Sequence, residues 1–493
     1  MSDETEIGFV QSIRNFLIDV DGLPNVKIND LVESQAGLRG WVNSLSHDQV
    51  QILMVDEGKI TPGEMFKKLP ARLSINTGDF LLGRSINPLG VPIDGKGLLE
   101  RIKQANFLEL DAIAPGIQTR QFINTQFHTG ITLIDTLIPL GKGQRELVMG
   151  DAHSGKTGFL IDLMVNQARF NQKLAPGQKK TICIYASIGK PGASVRSLID
   201  VLKANKALDS SVIIAASSSE PTPLIFLTPK TAFTIAEYFQ KKGHDVLLIL
   251  DDLGTHAKIY REMSLLSFKS PGREAYPGDI FYQHAHLLER AGSFKPGFGG
   301  GSITALPVIE LDLNDFTTLI PTSLMSMTDG HLLFKSSLRN QGQQPAIDIF
   351  LSVSRVGRQT QQRLTNLVAG RIRNTLTLAE ELQTVSSFSA ELPPQTQHIL
   401  KQKRLIDEIL KQDPITSIPE QVQIILLALV YTSFLTDKDR YFLEKYKNPL
   451  INAFESDADL LKITRGLSSI KNDQQLVNLL ETQLKKLNEL CPS

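Results

Sequence analysis

The chain has 493 residues, 41% of them hydrophobic and 21% charged, with lysine plus arginine and aspartate plus glutamate both totalling 52. That length exceeds what one hydrophobic core can serve, so several domains are expected, and a formal net charge of zero speaks against nucleic acid as the main partner, since phosphate neutralisation draws on a basic surplus. Two distant cysteines, Cys183 and Cys491, support neither a disulfide framework nor a metal site and fit a reducing, intracellular compartment.

Residues 1–72 read as short strands interrupted by turns at Asp21-Gly22, Leu38-Arg39-Gly40, Glu57-Gly58 and Pro62-Gly63, the punctuation of a small N-terminal β-barrel. The first few residues are polar and acidic, unlike a secretory signal. Over residues 73–361 apolar strands around Leu147, Ile182 and Val246 alternate with helical segments, which predicts a parallel sheet clothed by helices. A glycine-rich loop at residues 297–302 precedes a further strand at 305–310. In residues 362–493 helical spacing takes over: Leu476, Leu480, Leu484 and Leu487 fall on one helix face, and Pro393-Pro394, Pro414 and Pro419 mark connections within a helical bundle. The longest strongly apolar run, residues 424–430, is far shorter than the roughly 20 residues of a membrane-spanning helix.

Gly150-Asp151-Ala152-His153-Ser154-Gly155-Lys156-Thr157 satisfies G-x-x-x-x-G-K-[ST], after a strand ending at Met149 and before an amphipathic helix carrying Leu160, Leu163 and Met164. In that setting loop and helix N–H groups cradle phosphate oxygens, Lys156 reaches the β and γ phosphates, and the Thr157 hydroxyl holds magnesium. The apolar strand at 246–250 ends in Asp251-Asp252; Asp251 is the candidate acid contacting magnesium through water, and Asp252 reads as a helix cap. His153 reads as a neutral hydrogen-bonding residue of the loop.

Several segments carry a family resemblance: GQRELVMGDAHSGKT at 143–157, DDL followed by YREMSLL, PGREAYPGDIFYQHAHLLERAGSF at 271–294, GGGSITALPVIE at 299–310, PTSLMSMTDG at 321–330 and PAIDIFLSVSRVGRQTQ at 345–361. With LLGRSINPLGVPIDGKG at 81–97, these resemble the alpha subunit of F-type ATP synthase in order and spacing. The resemblance implies a β-barrel, a RecA-like P-loop nucleotide-binding domain and a helical domain. It also implies ATP or ADP with magnesium as ligands, catalytic beta-type subunits alternating with this one in a heterohexameric ring, a central-stalk rotor subunit, and a place at the inner face of the cell membrane.

The catalytic beta subunits of the family polarise the attacking water with a glutamate after the strand that follows the phosphate loop. Here that strand continues Tyr185-Ala186-Ser187-Ile188-Gly189-Lys190-Pro191, with Lys190 where alpha subunits carry glutamine; neither residue is a carboxylate base, so the chain's own site is expected to be non-catalytic. Lys190 itself reads as a solvated loop charge. The arginine of SVSRVG, Arg355, matches the family residue that reaches the nucleotide on the neighbouring beta subunit, and Ser326 and Val353 match residues lining that interface. Of the adenine pocket, Gln412 matches a family glutamine, while Pro414, Gln344 before Pro345, and Arg339 depart from the pattern.

Alpha subunits of the family begin with a helical arm, whereas here the barrel starts near Gly8 after the polar Ser2, Asp3, Glu4, Thr5 and Glu6. That departure favours a specialised, ATP-hydrolysing F-type-like motor of mollicute type, doing gliding or other mechanical work with membrane-side or cytoskeletal partners. The alternative is the ordinary alpha subunit of a proton-translocating synthase. Three distant readings are a hexameric nucleic-acid translocase, which would need stacking aromatics on the barrel, a protein-export ATPase, and a ring spacer without nucleotide.

Overall fold

A computed structural model describes residues 6–99, 106–312, 315–386 and 393–492; the polar residues Ser2, Asp3, Glu4 and Thr5 lie outside the described residues. The chain divides into two compact units, one of Met1–Phe122, Gly143–Met149 and Gln167–Asp329, the other of Ile123–Lys142, Gly150–Asn166 and Gly330–Ser493.

In the first unit, strands β1 (Ile7–Arg14), β2 (Leu17–Gly22), β3 (Asp30–Ser34), β4 (Arg39–Leu45), β5 (Val50–Met54) and β6 (Met65–Arg72) close into a barrel in the order β1-β2-β5-β4-β3-β6. Closure removes the open sheet edges; β1 meets β6 with Gly8 opposite Phe66. Val10, Ile18, Val20, Val32, Val42, Ile52 and Phe66 fill the interior, each contributing about 1.5–3 kcal/mol by leaving water. Trp41, the chain's single tryptophan, is 3% exposed. It is therefore core, and no platform for stacking bases.

The same unit holds a sheet whose strands run, in spatial order, Leu147–Gly150, Ser302–Glu310, Asp245–Asp251, Thr181–Lys190, Ser211–Ser217 and Ser85–Ile86. The neighbours are parallel from Ser302–Glu310 outward, and residues 246–250 are wholly buried. This is why those strands read as unbroken apolar runs rather than as alternation. The helices Thr222–Lys241, Leu253–Leu266 and Gly192–Ala204 pack on them. The central α/β domain with its barrel and helical neighbours is the architecture expected from the sequence.

In the second unit, Gly330–Phe334 pairs antiparallel with Val353–Ser354, and the rest of the C-terminal region is helical, including Arg363–Ser386, Pro394–Leu410, Glu420–Leu429 and Arg440–Ser456. Pro393 and Pro419 sit at helix N-termini, where rigid φ and a missing N–H cost nothing. The apolar run 424–430 is buried core. Among the described residues no helix is long and apolar enough to cross a membrane. One expectation needs correction. Leu476, Leu480, Leu484 and Leu487 do not share a continuous helix, because Asp473–Glu481 ends before Leu484–Leu490 begins. Leu476, Leu480 and Leu487 are buried nonetheless; the two short helices present their apolar sides separately, which spacing alone cannot distinguish from one longer helix.

Candidate functional site

The phosphate-loop motif forms a tight turn between Leu147–Gly150 and the helix Lys156–Gln172. Gly150 has φ +158°, and a Cβ there would meet the Phe334 carbonyl oxygen at 2.3 Å, so no side chain is tolerated. Gly155, at φ +100°, takes the left-handed conformation glycine accepts most readily. The loop is braced from several sides. The carboxylate of Asp151 accepts from the backbone N–H and the hydroxyl of Ser336, and Ser154 donates to the Asp151 carbonyl at 2.8 Å. Arg339 donates to the His153 carbonyl at 2.6 Å, and Phe159 packs on Phe334 with ring centroids 5.2 Å apart. His153 is exposed and left-handed at φ +59°, while Ala152 is exposed beside it.

Lys156 lies over this turn, its ammonium donating to the carbonyls of Gly150 and Asp151 at 2.7 and 2.6 Å. These two carbonyls are neutral acceptors, and a charge-assisted bond to a phosphate is the stronger kind. The N–H groups of the first helical turn have no intrahelical partner and gather positive potential at the same end. Thr157 is exposed, and its hydroxyl has no hydrogen-bond partner among the described residues. This assembly suits an anionic phosphate.

The acidic strand end in the other unit is arranged differently. Register places Ser187 beside Asp251. Tyr185 donates its hydroxyl to Asp251 Oδ2 at 2.6 Å, and the Lys190 ammonium lies 3.1 Å from Asp251 Oδ1 and 2.9 Å from Asp252 Oδ2. The other oxygen of Asp252 caps the helix Leu253–Leu266 by accepting from the Thr255 N–H, as its sequence position suggests. Both aspartates are buried, at 5% and 6% exposure. Burial works against the Lys190 ammonium, but the charges and hydrogen bonds of Asp251 and Asp252 outweigh it and hold its pKa above the ordinary lysine value. Burial, then the Asp251 charge, pushes the Tyr185 hydroxyl well above its usual value.

Two expectations change here. Lys190 is no solvated loop charge: it ends the strand Thr181–Lys190 and closes an ion cluster. A register shift between Ile188 and Lys190 against Ser211–Ser217 leaves Gly189 outside the pairing at φ +65°, and such a bulge re-aims the residue that follows it. Asp251, in turn, does not fit as the acid for a magnesium-bound water. One of its oxygens is taken by Tyr185 and the other by Lys190, whose positive charge repels a divalent cation. No group of three or more His, Cys, Asp or Glu side chains able to hold a metal occurs among the described residues.

Arg355 follows Val353–Ser354 on a loop fixed from beneath. Ser354 donates to the Pro139 carbonyl at 2.6 Å and accepts from the Gly357 N–H. A Cβ on Gly357 would lie 1.6 Å from the Pro139 oxygen, so this close approach demands glycine. Arg355 itself is exposed and takes part in no hydrogen bond or ion pair among the described residues. Val353 is exposed, and so is Ser326 on the helix Leu319–Met327, its hydroxyl donating to the Ser323 carbonyl. Gln412 is a different matter. It is buried, its amide accepts from the Thr132 N–H and donates to the carbonyls of Gly130 and Thr416, so its side chain is spent inside the fold and is not available to a nucleotide base. The braces at Ser336 and Arg339 lie more than 180 residues from the loop, and no local sequence signal pairs them with it.

Comparison with known proteins agrees with this geometry. The nucleotide-binding domain of the ATP synthase alpha/beta family matches residues 130–354, and the C-terminal domain of the ATP synthase alpha/beta chain matches residues 361–490. The ATP synthase subunit alpha of Metamycoplasma arthritidis is 38% identical over 98% of this chain and 90% of its own length. ATP synthase subunit alpha 1 of Mycoplasmopsis pulmonis is 38% identical over 98% and 89%, and the Mycoplasma pneumoniae alpha subunit 38% over 93% and 86%. With a phosphate loop braced as that chemistry requires and relatives of one kind spanning nearly its whole length, the chain belongs to the F-type ATP synthase alpha subunit family.

Proposed function

We propose that this chain is a nucleotide-binding, non-catalytic alpha subunit of an F-type ATP synthase ring, and that it lends Arg355 to the catalytic site of a neighbouring beta-type subunit. The observation that carries the non-catalytic reading is the Lys190 cluster. It supports the reading because Lys190, which the resemblance aligns with the carboxylate base of catalytic beta subunits, is an ammonium ion-paired to Asp251 and Asp252 and cannot polarise water as a carboxylate does. Residues 150–157 take the phosphates of ATP or ADP, with the Thr157 hydroxyl as the group open to magnesium arriving on the nucleotide.

Arg355 is supported as a group acting on another chain by its exposure, its lack of a hydrogen bond or ion pair among the described residues, and the rigid base that Ser354 and Gly357 give it. An arginine supplied in trans stabilises charge on a transferring phosphoryl group. Ser326 and Val353 belong to the same contact. The partners are beta-type subunits alternating with this one around a central stalk, in a complex at the inner face of the membrane that couples to proton translocation. The names of the relatives favour this ordinary synthase over a specialised gliding motor, and nothing among the described residues favours the motor.

The test is turnover against binding. The purified full-length chain should bind ATP yet hydrolyse it at background rate, and a ring reconstituted with the beta-type partner should hydrolyse it robustly. Lys156→Ala should abolish binding to the isolated chain while lowering ring turnover only modestly. Strong turnover by the isolated chain would overturn the reading.

A further inference from the structure

Two cations rest on the backbone of the phosphate loop, and both belong to the second compact unit. Lys156 donates to the carbonyls of Gly150 and Asp151. Arg339 comes from the short helix Ser336–Asn340 and donates from Nη1 to the His153 carbonyl at 2.6 Å. Its side chain also runs alongside Gly155, where an added Cβ would lie 3.8 Å from Nη1 and 3.9 Å from Cδ of Arg339. Gly155 immediately precedes the helix Lys156–Gln172, so the guanidinium sits at the helix end that gathers positive potential. Ser336, at the start of the same short helix, gives its backbone N–H and hydroxyl to the Asp151 carboxylate. The segment carrying Arg339 is thereby fixed against the loop at a second point.

A brace alone does not call for this residue. One carbonyl is satisfied by any neutral donor, whereas arginine brings a permanent charge and five N–H donors in a fork matched to phosphate. Only the bond to His153 is made: Arg339 is exposed and has no carboxylate partner among the described residues. We propose that Arg339 is a second phosphate-binding cation of this chain, which leaves the His153 carbonyl for the phosphates of a nucleotide held by residues 150–157. It acts there beside Lys156. The inference deepens the nucleotide-binding reading and rests on it. The exchange trades a neutral acceptor for an anionic one, and charge-assisted bonds are the stronger kind. It also places the contact on the phosphates rather than on the base, so the chemistry recognised is a polyphosphate chain.

The experiment uses the purified full-length chain with ATP and with inorganic tripolyphosphate, which offers phosphates and no base. Affinities are measured by calorimetry. Arg339→Gln keeps a neutral donor for the His153 carbonyl and should bind both ligands about tenfold or more weakly than wild type. Arg339→Lys keeps the charge and should stay within about threefold of wild type. Phenylglyoxal labelling of Arg339 in the wild-type chain, read by mass spectrometry, should be slowed by ATP and by tripolyphosphate but not by adenosine. That measurement decides should a variant fail to fold. A Gln variant that binds as wild type does, a loss confined to ATP, a Lys variant as weak as the Gln variant, or labelling that neither phosphate ligand slows would each overturn the proposal and leave nucleotide binding standing. Absence of ATP binding to wild type would instead remove the nucleotide-binding reading, and this inference with it.

Discussion

Lys190 ends a ten-residue strand and Arg355 follows a two-residue one, and the structure treats these two cations oppositely. Lys190 is tied to two buried carboxylates, so its charge is consumed inside its own unit. Arg355 stands exposed, without a hydrogen bond or ion pair among the described residues, on a loop whose backbone is fixed by Ser354 and Gly357. A side chain with satisfied partners must break them to act elsewhere, whereas a solvated, unpaired guanidinium on a rigid base keeps its full capacity for a bidentate anion. The first residue's charge is therefore committed within its own unit, and the second is the one proposed above to act on a neighbouring subunit.

The sharpest way to break this comparison is Arg355→Ala. ATP hydrolysis by the reconstituted ring should fall by about 10³ or more, while ring assembly on a sizing column and the melting of the chain stay unchanged, because the lost interaction exists only as charge develops in transfer. A drop of tenfold or less would return Arg355 to the status of an ordinary surface charge.

Acid probes the buried interior around the same unit as Lys190. His256 and His284 touch through their ring nitrogens at 3.2 Å. Burial lowers the pKa of His284 from the usual histidine range to about 4, and His256 lies well below that range through burial and then the neighbouring His284. A folded-state pKa below the unfolded value means the unfolded chain binds more protons, so stability is lost as pH falls from about 6.5 toward 4. The loss from His284 alone is on the order of 3 kcal/mol. His284→Gln should flatten that part of the stability–pH curve measured by circular dichroism; an unchanged slope would place the acid sensitivity elsewhere.

For Lys190 the expected effect is smaller but visible. Lys190→Ala leaves Asp251 and Asp252 without their cation, and the side chain is 28% exposed, so the cost lies below that of a fully buried pair, at about 2 kcal/mol. Arg355→Ala, by contrast, should not shift melting at all. Equal melting of the two variants would show that the Lys190 pair is solvated rather than structural. Smallest of all is Ser326→Arg. Its exposed position should hold chain stability within about 0.5 kcal/mol, yet lower the yield of assembled ring. A normal ring yield would remove Ser326 from the subunit contact.

Much of this is legible in the sequence. Turn spacing and burial period carried the element types, so the barrel, the parallel strands and the helical end are readable from features such as Asp21-Gly22, the apolar run at Val246 and the leucines around Leu476. The phosphate loop was readable because its function is met by consecutive residues: strand, glycines, lysine and threonine within one turn. Asp252 as a helix cap is local in the same sense. The helix boundary near residue 482 was not readable, since two short helices and one long helix leave the same apolar spacing.

The amino-acid sequence by itself determined the family, the order of the domains, the phosphate-loop motif with Gly150, Gly155 and Lys156, and the lack of a carboxylate at position 190. Tertiary structure decided what the isolated positions do. Lys190 and Asp252 are 62 residues apart and Gln412 and Thr132 are 280 apart, so their partners are set by sheet register, a single bulge and the packing of distant segments. Periodicity reports which face a residue occupies, but not which side chain it meets there. For that reason Lys190 reads as a loop charge in sequence and is an ion-cluster centre in the fold, and Gln412 reads as a nucleotide contact and is a buried strut.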